Sequence, residues 1–162
     1  MSILKILSID ASSTCTGYTK YTLNTDNKVI KHLSTDSITA KEKNIYQRFN
    51  TIHNSMVKDK LYSWPDVVVF ENYAFNGNRV TQLAELNGVL KYNFTLNDIP
   101  ISLLSPKTIK LKVSGSGNNS KDAVRKSLKN HDIFKETTFK NNDESDSAAI
   151  GFTYILKRLE EK

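Results

Sequence analysis

The chain has 162 residues, 38% of them hydrophobic and 25% charged, with a formal net charge of +6. That length suffices for one domain spanning residues 1–162 with a full core, and no apolar run approaches the ~20 residues of a membrane span. The opening run MSILKILSID is too short and too acidic for a signal peptide, and the single Cys15 excludes an internal disulfide and a thiolate zinc site, so a reducing cytoplasm is the expected setting.

Ile3 to Asp10 is a short apolar run that closes on an acid, and the turn-prone ASSTCTG leads to a second run, YTKYTL. A third strand, roughly 28–34, completes an antiparallel meander. From Ala40 to Tyr62, Ile45, Phe49, Ile52 and Met56 recur at helical spacing, predicting an amphipathic crossover helix. His53 on that helix has no partner at metal-binding spacing and reads as a boundary residue. The β-branched run DVVVF then predicts a strand covered on both faces, and it too closes on an acid, Glu71. A crossover connection places it beside the first strand, with both carboxylates at the ends where open α/β sheets put their sites.

The loop ENYAFNGNR carries Tyr73 and Phe75, aromatics able to stack on bases or to cover the core edge. A helix follows over 79–97, then the short strand IPISLL, then a helix with Ser105 as N-cap and Pro106 at its first position. The flexible GSGNN loop feeds a basic helix capped by Ser120, which outlines a phosphate site without matching the nucleotide loop GxxxxGK[ST]. The last helix is predicted from Ser147, with Asp143 and Asp146 at its start. They serve either as cap and macrodipole partner or, three apart on one face, as a pair that holds a cation.

Between Ser105 and Lys129 stand Lys107, Lys110, Lys112, Lys121, Arg125, Lys126 and Lys129 against one acid, Asp122. Such a block suits a polyanion, with a solvated surface as the plain alternative. Asp10, Glu71, Asp143 and Asp146, brought together without His or Cys, describe a site for hard divalent ions rather than zinc. Two such ions can activate water and stabilise the leaving oxygen of a phosphodiester.

The order of LSIDASSTCTGY, VVVFENYAFNGN, LAELNGVL, VSGSGNNSKDAV and NDESDSAAIG resembles the RuvC family of Holliday-junction resolvases, including its shorter phage-encoded members, over almost the whole chain. The resemblance implies an α/β, ribonuclease H-like fold with a central mixed five-stranded sheet flanked by helices. It also implies a homodimer that clasps branched DNA, four-way junctions above all, and makes paired nicks with Mg²⁺, or Mn²⁺ in its place, at two ions per site. By position, Asp10, Glu71, Asp143 and Asp146 would bind the metals and act in catalysis with Lys121. Lys110 and Lys121 would contact phosphates, with Arg125 and Lys107 from the same basic block and Tyr73 or Phe75 on the bases. The family's junction-probing aromatic stands three residues after the glutamate, where this chain has Ala74. Glu144, inside the DxxD motif, is a candidate outer-shell acid. A phage-encoded member would work in the bacterial host cytoplasm, with no membrane and no nucleotide cofactor.

Three other readings fit parts of the sequence. IDASSTCTG resembles the first phosphate loop of actin-like and sugar-kinase ATPases, but the chain provides one lobe where those need two. A non-catalytic module binding branched nucleic acid would use the acids as caps. A ribonuclease acting on RNA–DNA hybrid would share the fold.

Overall fold

The computed structural model describes residues 2–72 and 80–161, so Tyr73 and Phe75 lie outside the described residues. In chain order the elements are β1 (Ile3–Asp10), β2 (Cys15–Asn24), β3 (Ile30–Thr39), α1 (Ile45–Lys58), β4 (Val67–Glu71), α2 (Val80–Leu96), β5 (Ile101–Leu104), α3 (Pro106–Ser114), α4 (Lys121–Lys129) and α5 (Asn142–Glu160). The strands form one sheet in the order β3-β2-β1-β4-β5. The first three are antiparallel, and β4 and β5 add parallel to β1.

Alternation along the inner strands divides the core. Ile6, Val67 and Val69 face a cluster with Ile109, Val113, Val124, Leu128, Ala148 and Ile155, from α3, α4 and α5. Leu7, Ile9, Val68 and Phe70 face the opposite cluster with Phe49, Ile52, Leu86 and Leu90, from α1 and α2. The sheet is thus covered on both sides, as the unbroken VVVF run requires.

Helix α5 lies on the first of these faces, and its small residues seat it close. A Cβ on Gly151 would come within 2.5 Å of Ser8 Oγ. The Ser8 hydroxyl donates to the Ser147 carbonyl at 2.7 Å, and the Tyr21 hydroxyl donates to the Ala148 carbonyl at the same distance. Both bonds lie in buried surroundings, where an unpaired polar group would be costly.

Several boundaries differ from the sequence expectation. Strand β2 begins at Cys15, inside the predicted turn, and β3 runs on to Thr39. Helix α1 occupies only 45–58 because the Asn44 side chain accepts from the Tyr46 and Gln47 amides and starts it there. Helix α5 begins at Asn142, five residues before Ser147, with Asn141 as N-cap: its side chain accepts from the Glu144 amide at 2.9 Å. Asp143 is therefore not the cap.

Candidate active site

Parallel pairing brings the two strand-end acids together. Ile9 pairs with Phe70, so the next residues, Asp10 and Glu71, leave β1 and β4 side by side. Both line a small recess with Leu83 and Asn87 of α2. A larger cleft of about 160 Å³ opens next to it, bounded by Glu71, Lys110, Lys121 and Asp146 over apolar walls from Ile109 and Val124. The cleft therefore takes one acid from a strand end, one from α5, and cations from α3 and α4.

The third approach is made possible by a glycine. Gly17 pairs with Asp10 across β1 and β2. On its open side lies the start of α5: a Cβ there would sit 2.1 Å from the Asp143 carbonyl oxygen. Asp143 thus enters the first turn of α5 directly over the partner of Asp10, near enough for its charge to add to the burial that raises the Cys15 thiol. Cys15 is accordingly a half-buried neighbour of the acids, outside both core clusters.

The acids act on one another through their charges. Burial first, then the charge of Asp146, with smaller contributions from Glu71 and Asp143, outweighs the attraction of Lys121 and raises the Asp10 carboxyl to about 7. Burial likewise raises Glu71, with the Lys121 charge opposing it and Asp146 reinforcing it. Burial alone would lower the Lys121 ammonium, but the charges of Asp146, Glu71 and Asp10 prevail and raise it. Buried carboxyls that also repel one another are stabilised by a cation among them.

Part of that stabilisation comes from within. Arg125 of α4 forks onto Asp146, Nε to one carboxylate oxygen and Nη2 to the other, both at 3.0 Å. Lys121 Nζ adds a bond of 3.2 Å to the second oxygen. The third Arg125 nitrogen, Nη1, donates to Asp122 at 2.9 Å. Among the described residues no group of three or more His, Cys, Asp or Glu side chains is arranged to hold a metal ion. The donor set nevertheless suits a hard divalent ion by its all-oxygen chemistry and by the charge shared among its members.

Of the other predicted residues, Lys110 borders the cleft, and its charge reaches Glu71. Lys107 lies along the GSGNN loop instead, its side chain filling the space a Cβ on Gly117 would need. The basic block is also divided: Lys112 pairs with Glu160, and Lys129 lies over the Phe139 ring. Glu144 of the DxxD motif reaches towards β3. It is 1% exposed, accepting from the Ser37 hydroxyl at 2.9 Å and from the Lys140 amide at 2.7 Å, so it ties α5 to β3. Gly17 and Asn87 were not anticipated, and neither residue type carries a sequence signal for such a site.

Carboxylates leaving neighbouring strand ends suit hard divalent ions, and this sheet order, three antiparallel strands followed by two parallel ones, is that of a ribonuclease H-like fold. Comparison with known proteins narrows the class. Residues 6–154 match the family model described as crossover junction endodeoxyribonuclease RuvC, and the chain belongs to that family. It is 28% identical over 158 residues to the crossover junction endodeoxyribonuclease RuvC of Carboxydothermus hydrogenoformans, spanning 95% of this chain and 97% of that one. A relative from Dictyoglomus turgidum is 33% identical over 96 residues, 58% of this chain and 60% of that one. Among solved structures, Thermus thermophilus RuvC superposes with a TM-score of 0.79 over 97% of both chains at 15% identity. The fowlpox virus Holliday junction resolvase gives 0.61 over 97% and 99% at 16% identity. At these identities the two structures bear on the fold.

Proposed function

We propose that this chain resolves four-way DNA junctions by Mg²⁺-dependent paired hydrolysis, with two ions held among Asp10, Glu71, Asp143 and Asp146. The observation that carries the reading is that Asp10 and Glu71 leave neighbouring strands side by side, next to a cleft in which Glu71 and Asp146 meet Lys110 and Lys121. The metal, when bound, supplies the Lewis acidity that activates water and stabilises the leaving oxygen. The residues supply the rest. Asp10 and Glu71, fixed by β1 and β4, give the ligand set a rigid base, while Asp143 and Asp146 close it from α5. Lys121, whose charge the acids hold in place, and Lys110 neutralise the phosphate on either side of the scissile bond. Water attacks phosphorus, the bond to the 3′ oxygen breaks, and the 3′ hydroxyl and 5′ phosphate left behind can be rejoined by a ligase.

Paired nicks need two such sites, and a homodimer provides them. Helix α2 offers a contact surface: Val89, Tyr92 and Leu96 lie on one side of it, and all three are exposed, Tyr92 at 64%.

The testing experiment offers labelled four-way junction, linear duplex and RNA–DNA hybrid to the protein with and without Mg²⁺. Cleavage of the junction alone, only with metal, is expected. Preferential cutting of hybrid would make the chain a ribonuclease, and junction binding without cutting in Mg²⁺ or Mn²⁺ would make it a binding module.

A further inference from the structure

Two cations of the protein satisfy Asp146 in this structure, the Arg125 guanidinium and, on one oxygen, the Lys121 ammonium. A guanidinium fork occupies both carboxylate oxygens at once, at equal distances of 3.0 Å. This charge-assisted, two-point geometry is the strong form of the interaction and engages the same oxygens a divalent ion would use. The pair is sheltered, with the Arg125 side chain 20% exposed and that of Asp146 15%. Asp122, at the start of the same helix and 82% exposed, holds the remaining guanidinium edge and fixes the fork's direction. Arg125 is therefore in contact with the acid cluster and also belongs to the basic block between Ser105 and Lys129.

We propose that Arg125 is a gate on the metal site: it holds Asp146 in a closed ion pair that competes with divalent metal, and a DNA phosphate opens the gate by taking the guanidinium. Guanidinium binds phosphate by the same two-point fork that it makes with a carboxylate. The exchange releases Asp146 when its substrate arrives and leaves Arg125 on the backbone. Metal and junction then strengthen each other's binding, since coupling between two ligands is reciprocal. The consequence is a metal site that assembles on DNA and is incomplete in its absence, which restrains the nuclease when no junction is present. The inference rests on the four-acid metal-site reading and adds to it a residue that acts through Asp146.

The test measures Mn²⁺ affinity of the DNA-free protein by calorimetry, with circular dichroism to establish folding. Arg125→Gln and Arg125→Lys are each expected to bind Mn²⁺ more tightly than the unaltered protein, by about tenfold for Gln, which corresponds to about 1.4 kcal/mol. The Lys variant retains charge but loses the fork, so a gain there separates the two-point contact from simple repulsion of metal. Adding Asp146→Asn to Arg125→Gln should abolish the gain, and Lys126→Gln, an exposed lysine on the same helix, should leave affinity within about twofold of the unaltered protein. On the DNA side, Arg125→Gln should weaken junction binding in EDTA and lower the salt slope by about one. Unchanged or weaker Mn²⁺ binding in both Arg125 variants would overturn the gate and make Arg125 a support for Asp146 as ligand. Unchanged junction affinity and slope would overturn the phosphate exchange. If neither the unaltered protein nor any variant binds Mn²⁺, the metal-site reading itself fails, and the gate with it.

Discussion

Gly17 and the Asp143 carbonyl are in contact across β2 and the start of α5, so closely that a methyl group on Gly17 would sit 2.1 Å from the oxygen. Because Gly17 also pairs with Asp10, this one contact sets the distance between the strand acids and the helix acids. Gly17→Ala is expected to push α5 outward, at roughly 1–3 kcal/mol of stability, and to weaken Mn²⁺ binding and cleavage together. Denaturant melts, calorimetry and a cleavage assay on the same preparation check this. A variant of unchanged stability and activity would show that the helix start has room to move.

Asp146→Asn should lower junction cleavage by at least ~100-fold, more than the loss typical of groups that only orient a metal ligand. Junction binding in EDTA should persist, because the basic rim is untouched and Arg125 loses its carboxylate competitor. A gel-shift titration beside a cleavage time course checks both halves.

The Asp10 carboxyl, at about 7 where a free aspartate has 3.8, gives the metal-free protein a definite pH signature. Its folded value is raised, so the folded state holds the proton more tightly than the unfolded state. The penalty for the charged form is present in full above pH 7 and is relieved as pH falls from 7 towards 3.8. Asp10→Asn removes that penalty. The variant, inactive in cleavage, should exceed the unaltered protein in stability by on the order of 2–4 kcal/mol at pH 8 in EDTA, and the difference should shrink towards pH 4. A pH-independent difference would mean that Asp10 carries no such burden.

Lys121→Ala should slow cleavage roughly 10- to 100-fold through loss of one charge beside the phosphate, with a smaller effect on junction affinity. Single-turnover rates measured at saturating protein separate the two. An unchanged rate would reduce the GSGNN loop and the start of α4 to a connector.

How far the sequence foretold this site differs from one residue to the next. Asp10 and Glu71 were legible because each interrupts a β-branched, apolar run at its last position, and the crossover rule sets such strands side by side. The start of α5 was not. In NNDESD several residues are able to cap, none is apolar, and the choice of Asn141 depends on β3, where Ser37 receives a bond from Asn141 and gives one to Glu144. Strand β3 was cut short for a related reason, since STDSIT shows no apolar alternation and is held by pairing with β2. The Arg125–Asp146 fork joins two helices and leaves no trace in local spacing. The same holds for Gly17, whose use appears only once α5 is seated on the sheet.

The central claim, that the acid cleft cuts junctions in a metal-dependent and symmetric way, is tested most directly by mapping and religating the products from a junction labelled on each strand in turn. With Mg²⁺, nicks are predicted at matching positions on two opposing strands, sealed by ligase without further processing, and absent in EDTA and in Asp146→Asn. A junction left whole in both Mg²⁺ and Mn²⁺, or one cut on a single strand with ends that ligase cannot seal, would contradict it.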